Sequence, residues 1–294
     1  MYLSRGILHN GFWKLYLAVL LILIGTLGVT AQQQHYSSSK VDSLRNPRYP
    51  LTKPVRPKPI RTDFSVGIRM NTNGWSGFME KGWVRSEFTK ESDKLYNRRV
   101  FQIEFSEHKH PKQWRETNTM LSGLVSDKPR PFVYGKVNNF YTLKLGYGYS
   151  RMIAGKPDQG NISVHWLYLG GVSMAFLKPY YIDVYVSSQD NPGFLEKKTI
   201  RYTGENEKDF LGYKQNIVGS SGLIKGIDET QLVPGIHAKT ALHFDFAADT
   251  RTKLAIEIGI NGELYTQKIK IMANQKDYPY VVNAYISFQF GKRW

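Results

Sequence analysis

The sequence contains no cysteine. This absence excludes disulfide bonds, thiolate metal sites and lipid attachment through a cysteine. Acidic residues are also scarce, with 24 Asp and Glu against 40 Lys and Arg, so the formal net charge is +16 at pH 7. Such a charge predicts anionic surroundings, for example nucleic acid, an acidic polymer or lipid headgroups.

The apolar run at 15–29 is too short for a membrane-spanning helix, which needs roughly 20 residues. Arg5 and Lys14 precede this run, and a small-residue site that ends at Ala31 follows it. The pattern predicts a secretory signal peptide at 1–31, with a permanent membrane anchor as the alternative. An exported chain is not expected to have nucleic acid as a partner.

The segment 32–61 differs in composition from the rest of the chain. It begins with polar residues and then carries five prolines among basic residues. Proline favours extended backbone and like charges repel, so the segment predicts an extended tail in the periplasm. The candidate partner-binding residues of this tail are Arg45, Arg48, Lys53, Arg56, Lys58 and Arg61. The alternatives are a solvated linker and a tether to an anionic polymer such as peptidoglycan.

From residue 62 to residue 294, apolar and polar residues alternate in successive segments, and no stretch has a helical period. In the first segment Phe64 and Val66 alternate with Ser65, and in the last Phe288 alternates with Ser287. This period predicts β-strands with one apolar face. Two architectures bury such faces: two sheets that share a core, or a closed barrel in lipid.

The polar faces of the predicted strands favour the barrel. They mix small residues with charges of both signs, which suits a narrow, internally paired lumen, and Tyr and Trp cluster near strand ends as in interfacial girdles. The predicted lumen network consists of Arg69, Glu104, Lys144, His165, His243, Asp245 and Glu257. We therefore predict an all-β fold: a closed, antiparallel, up-and-down transmembrane β-barrel at 62–294. The expected count is about eight strands if 162–185 forms one strand, and ten are possible if 162–185 and 186–232 contain additional strands.

The lengths of the predicted connections agree with this topology. An even number of strands returns both chain ends to the same side of the membrane. The two longest connections, 108–138 and 186–232, then lie together on the outside, with the shorter connections 71–74 and 270–279. The connection at 186–232 is rich in apolar residues, which predicts packing on the barrel mouth or on a partner.

The segments "DFSVGIRMNTNGW", "YTLKLGYGYSR", "GGVSMAFLKPYYIDV" and "NAYISFQFGKRW" resemble small outer-membrane β-barrel proteins of the Bacteroidota, the PorT-like group. The resemblance covers 62–294 and implies the outer membrane of a Gram-negative bacterium. It also implies that Phe288, Phe290 and Trp294 form a C-terminal signal for the barrel-assembly machinery. Outer-membrane lipid and other envelope proteins are the implied partners.

The predicted function is that of a non-enzymatic accessory or structural subunit of a secretion or outer-membrane assembly machine. An eight-stranded barrel is filled by side chains, which disfavours the first alternative, a small porin. The second alternative is a lipid-modifying enzyme or protease. The residues considered for nucleophilic or metal chemistry are Ser163 with His165, His243 with Asp245, and His108 with His110. Since none of them forms a strong motif, we expect no catalytic residue, metal site or cofactor.

Overall fold

A computed structural model describes residues 62–84, 97–121, 128–155, 162–187, 195–222, 224–246 and 251–294. The predicted signal peptide and tail, 1–61, lie outside the described residues. The described residues from Thr62 to Trp294 belong to one compact unit. No helix in the described ranges is long and apolar enough to cross a membrane.

The described residues form thirteen strands and one short α-helix. The elements are β1 (Thr62–Asn71), β2 (Gly74–Val84), β3 (Asn97–His108), β4 (Arg115–Glu116), β5 (Phe132–Val133), β6 (Asn138–Gly155), β7 (Ile162–Pro179), β8 (Tyr181–Ser187), β9 (Leu195–Arg201), α1 (Glu207–Gly212), β10 (Ile217–Ser220), β11 (Gln231–Phe246), β12 (Thr252–Ile269) and β13 (Tyr278–Arg293). Eight of the strands form the wall of a barrel in the order β1-β13-β12-β11-β7-β6-β3-β2.

The barrel closes through an antiparallel pairing of its first and last strands. The register runs from Asp63 opposite Arg293 to Asn71 opposite Tyr285. The backbone N–H of Thr62 donates to the Trp294 carbonyl at 3.0 Å, and the Trp294 N–H donates to the Thr62 carbonyl at 3.0 Å. The predicted fold class, a closed antiparallel barrel of about eight strands, is confirmed.

The segment 162–185, for which one strand or two remained open, divides at Tyr180. Strand β7 ends at Pro179 in the barrel wall, and β8 begins at Tyr181 in a separate sheet of order β10-β8-β9. Pro179, which lacks an N–H to donate to a ladder, is the last residue of β7. The barrel therefore has eight strands and not ten.

Successive residues of each barrel strand point alternately out and in. The outward rows are apolar and exposed: they include Phe64, Val66, Ile68, Met70, Met79, Phe101, Ile103, Phe105, Leu143, Leu145, Val172, Ile236, Leu242, Leu254, Ile258, Ile260, Val282, Phe288 and Phe290. Ile68 and Val282 expose 65% and 69% of their surface. The inward rows hold buried Ser, Gln, Asn and charged residues, together with buried apolar residues such as Phe140, Leu167 and Tyr285. This arrangement is the reverse of the one that water stabilises.

The two ends of the barrel differ. The segments 72–73, 109–137, 180–230 and 270–277 connect strands at one end, and Thr62 and Trp294 lie at the other. We call the end that carries Thr62 and Trp294 the terminal end. At the first end the connections bond to each other: the Lys109 N–H donates to the Asn73 carbonyl at 2.6 Å, and the Val137 N–H to the Ile271 carbonyl at 2.8 Å.

The long connections at 109–137 and 180–230 fold into a small structure that we call the cap. It contains the β10-β8-β9 sheet, the β4-β5 pair and α1. Its core is a separate apolar cluster of Phe132, Ile182, Val184, Phe210 and Ile217, against which Tyr134, Tyr180, Val186, Ile200, Tyr202 and Leu211 pack. Apolar residues of 186–232, such as Phe210 and Ile217, therefore pack in the core of the cap at the barrel mouth.

Candidate functional site: the lumen and the cap

The seven side chains of the predicted lumen network are all buried inside the barrel. The centre of the lumen is occupied by Arg69, which pairs with Glu104 and, at 3.3 Å, with Glu257. Lys144 lies 2.7 Å from Glu104 and 2.8 Å from Glu263. Arg69 and Lys144 therefore join Glu104 on β3 to carboxylates on β12, on the opposite side of the lumen.

Glu257 has the largest set of partners in this central group. Lys239 lies 3.5 Å and His243 3.4 Å from its carboxylate, and the Tyr285 hydroxyl donates to it at 2.6 Å. The guanidinium carbon of Arg69 also sits 4.2 Å from the centre of the Tyr285 ring. A buried carboxylate is stable only with partners of this kind.

A second charged group fills the lumen near the terminal end. Arg98 pairs with Asp63, and Lys253 lies 2.9 Å from Glu80 and 3.5 Å from Asp63. The amide of Gln102 donates to Glu80 at 3.1 Å. These contacts connect strands that are far apart in sequence.

The charges that point inward balance along the described barrel strands. The carboxylates are Asp63, Glu80, Glu104, Asp245, Glu257 and Glu263, and the cations are Arg69, Arg98, Lys144, Lys239, Lys253 and Arg293. Each of the six acidic groups has a cation among its ion-pair partners. The ionic charges inside the barrel are consequently balanced, and a buried apolar cluster that includes Val100, Leu167 and Tyr285 shares the lumen with them.

Several members of this network were missed at the sequence level. Asp63, Arg98 and Lys253 lie at strand ends, one or two positions before the segments in which alternation was counted. Extending the same parity would have placed all three inward. Arg98, for example, lies three positions before the outward Phe101, and an odd offset along a strand reverses the face.

The residues considered for hydrolytic chemistry do not assemble into a triad. The Ser163 hydroxyl and His165 Nε2 are 3.1 Å apart, but Nδ1 of His165 has no hydrogen-bond partner in the described structure. His243 contacts Glu257 at 3.4 Å, and Asp245 pairs with Arg293. A nucleophile needs a base that a third group orients, and no described group orients His165 in this way.

His108 and His110 face different surroundings. His108 is buried in the lumen, 3.3 Å from the Thr142 hydroxyl and 3.5 Å from Glu263. His110 lies in the following turn, where its Nδ1 accepts the Lys112 N–H at 3.2 Å. In the part of the chain that the structure describes, no group of three or more His, Cys, Asp or Glu could hold a metal ion.

The predicted C-terminal signal residues lie on the outer surface. Phe288 and Phe290 are exposed on β13, and Trp294 is exposed at the terminal end. The predicted partner-binding residues at 45–61 lie outside the described residues.

Asp183 on β8 contacts residues from several parts of the cap. It accepts hydrogen bonds at 2.7 Å from the Thr199 and Ser221 hydroxyls, and it pairs with Arg130 at 2.5 Å and Lys197 at 3.8 Å. Burial by itself raises the pKa of this carboxyl. The two hydroxyls and the two cations outweigh burial and hold the pKa below its usual value.

The cap also exposes apolar side chains that its own core does not use. Ile224 and Trp114 expose 83% and 78% of their surface, and Met120 and Ile227 are similarly exposed. Large exposed apolar side chains of this kind are typical of contact surfaces when they are contiguous.

Comparison with known proteins yields structural likeness only. No family model and no curated protein matches the chain. Neisserial surface protein A is 8% identical, with a TM-score of 0.33, over 80% of this chain and 96% of that one. A major outer membrane protein from Thermus thermophilus is 10% identical, with a TM-score of 0.33, over 78% and 99% of the two chains.

The attachment invasion locus protein Ail of Yersinia pestis is 7% identical, with a TM-score of 0.29, over 80% of this chain and 96% of that one. Values this low do not assign a function. The closed barrel rests on its own strand pairing.

Proposed function

We propose that the chain is an outer-membrane β-barrel that neither conducts solutes nor catalyses a reaction, and that it serves as an accessory or structural subunit of a cell-envelope machine. The observation that carries the proposal is the balanced ion-pair network that fills the lumen. The earlier resemblance to the PorT-like group of the Bacteroidota stays a prediction.

The outer surface supports a location in lipid. Apolar residues such as Ile68, Ile258 and Val282 are exposed all around the wall, with no second layer of polypeptide over them in the described structure. In hydrocarbon every backbone polar group must be satisfied internally, which a closed barrel achieves. An outward apolar band with a polar interior is the pattern of outer-membrane barrels.

The filled lumen argues against a porin. A solute would have to displace Arg69, Lys144 or Lys239 from their carboxylates, and each separation would leave buried charges without partners. Barrels with aqueous channels have about 16 strands or more, whereas this wall has eight.

The surface left for function is then the cap and the predicted tail. The cap has its own apolar core, so it presents a fixed surface with exposed Trp114, Met120, Ile224 and Ile227. Such a surface suits a protein partner in the envelope. The basic tail, with Arg45 to Arg61, is the second candidate contact and would act in the periplasm.

Planar-bilayer recording tests the absence of conduction. We expect the purified protein to insert without steady conductance, in contrast to a sixteen-stranded porin measured alongside. A stable open level of the wild-type protein would overturn this part of the proposal.

Purification from native membranes in mild detergent tests the subunit role. We expect envelope proteins to be recovered in stoichiometric amounts with the wild-type chain and to be lost with Ile224→Ser/Ile227→Ser. The control is Glu205→Ser, another exposed cap residue. Deletion of 40–61 tests the tail separately, and unchanged recovery would make it a linker. Recovery of a lone barrel in every case would refute the subunit role.

A further inference from the structure

The outer wall is not uniform at the terminal end. On the side formed by β2, β3, β6 and β7, the outward residues near this end include Lys81, Trp83, Arg99, Tyr147, Tyr149, Arg151, Trp166 and Tyr168, together with apolar Ile153 and Ile162. On the opposite side they are chiefly apolar, with Phe64, Phe244, Phe246, Leu254 and Phe290, and include one cation, Lys292. Cations and polar aromatic rings are thus concentrated on one side.

These residues surround a pocket of about 220 Å³. Its lining consists of Asn97, Arg98, Arg99, Tyr149, Arg151 and Tyr168. Strand pairing sets Arg99 directly opposite Tyr149 and Asn97 opposite Arg151, and the rings of Tyr149 and Tyr168 are 5.7 Å apart. The pocket is therefore lined by the outward Arg99 and Arg151, by two tyrosines and by the inward Arg98.

The outward cations at this pocket have no counterion in the described structure. Arg99 and Arg151 are exposed, and neither forms an ion pair with a described carboxylate, whereas the inward Arg98 pairs with Asp63. The outward positions of β2, β6 and β7 carry no Asp or Glu, and those of β3 carry only Glu107 at the far end. Two arginines that have no carboxylate partner among the described residues favour an anionic ligand.

The geometry also selects the kind of anion. Guanidinium groups bind phosphate oxygens through two parallel hydrogen bonds. Tyr and Trp side chains prefer the level at which the apolar band meets the headgroups. A phosphate beside Tyr149 and Tyr168 on the outer wall, next to apolar Phe101 and Leu145, matches a lipid whose chains lie along those residues.

We propose that Arg99 and Arg151, with Tyr149 and Tyr168, bind the phosphate of an anionic glycerophospholipid at the terminal end of the barrel. This inference rests on the proposed location of the barrel in a membrane. Arg99 and Arg151 hold the phosphate oxygens, and the two tyrosine rings flank the glycerol. The opposite side of the barrel lacks this arrangement, so the site orients one face of the wall toward anionic lipid.

The test is native mass spectrometry of the folded protein, titrated with phosphatidylglycerol, phosphatidylcholine or inorganic phosphate. We expect phosphatidylglycerol adducts that exceed those of phosphatidylcholine. The double variant Arg99→Gln/Arg151→Gln should lower phosphatidylglycerol binding at least roughly tenfold, because each basic residue near an anionic lipid contributes about a factor of five. The matched control is Lys198→Gln/Lys268→Gln, which removes two exposed cations elsewhere and should leave binding unchanged.

Three results would overturn the inference: equal binding by the double variant and the wild type, an equal loss in the control, or saturation by inorganic phosphate at the same concentration as by lipid. Heat-dependent gel migration and insertion into vesicles report the barrel itself. If the barrel inserts but shows no preference for phosphatidylglycerol, only the lipid site falls. If it does not insert, the proposed membrane location falls as well. A second variant, Tyr149→Leu/Tyr168→Leu, keeps both charges and should weaken binding without abolishing it.

Discussion

The barrel and the cap are both built from strands but bury different kinds of side chain. In the barrel, Glu257 on β12 is buried and its neighbour Ile258 is exposed. In the cap, Ile182 and Val184 on β8 form the core, and Glu196 and Lys198 on β9 are exposed. One chain thus contains a core in which every buried carboxylate is ion-paired beside apolar clusters, and a smaller core that is chiefly apolar.

This difference shows that alternation specifies two faces and not which of them is inside. The barrel is consistent with a hydrocarbon exterior, where apolar residues lose nothing by exposure and charges must turn inward. The cap is consistent with water, where the usual burial of apolar groups returns. The following four predictions test this contrast, from the largest effect to the smallest.

Replacing Glu257 with Ala should cost about 3–5 kcal/mol of unfolding free energy, because it leaves Arg69 and Lys239 with fewer buried partners. The matched cap variant is Glu229→Ala, which removes an exposed partner of Arg201 and should cost at most about 1 kcal/mol. Urea unfolding from vesicles measures both. Equal costs for the two variants would contradict a core held by ion pairs.

Replacing Phe210 with Ala should cost about 3–5 kcal/mol of local stability in the cap, since a fully buried ring leaves a cavity. Amide hydrogen exchange should rise in β8–β10 and stay unchanged in β12 and β13. The control is Ile224→Ala, which removes an exposed side chain. Loss of protection throughout the barrel would show that the cap and the barrel unfold as one unit.

Replacing Ile258 with Arg should cost about 2–4 kcal/mol, because a cation would then face hydrocarbon. Ile258 lies between Leu242 and Ile286 on the neighbouring strands, so apolar wall surrounds it. The comparison variant, Ile224→Arg in the exposed cap, should cost almost nothing. Unfolding from vesicles gives both values, and an Ile258 variant as stable as the wild type would argue against a lipid-facing wall.

Acid should weaken the cap through Asp183. The folded-state pKa of this carboxyl is lowered, so its contribution is complete above the unfolded pKa of about 3.9 and is lost as pH falls through the folded value. We expect exchange protection of β8–β10 to hold from pH 8 to pH 5 and to fall below about pH 4. Asp183→Asn should remove this particular pH dependence, and an unchanged acid transition would assign it to another group.

Much of the barrel could be predicted from the sequence because its signal is local. The inward positions of Arg69, Glu104, Lys144 and Glu257 follow from strand parity and from the unlikely placement of charge in a lipid-facing row. The sequence indicated a break near Pro179. It did not indicate whether the following strand, β8, would pair within the barrel wall or in a separate sheet. That decision depends on which strand accepts its hydrogen bonds.

The partners within the lumen could not be predicted in the same way. Arg69 meets Glu257 across a separation of 188 residues, and Arg293 meets Asp245 only because β11, β12 and β13 are adjacent. Likewise, the cap core joins Phe132 to Phe210 from different connections. The position of a residue along its strand predicts whether its side chain points into or out of the barrel. Which side chains touch depends on the register between strands that are far apart in the sequence.

The sequence by itself therefore determined the strands, their two faces and the closed barrel that such faces favour, because these depend on a period of two residues. Only the tertiary structure decided that eight strands close the wall, that six carboxylates meet six cations inside it and that the long connections form a cap. The pocket lined by Arg99 and Arg151 was likewise visible only in the tertiary structure. Each of these features arises where residues far apart in the chain come within a few ångströms, and a local pattern carries no record of that distance.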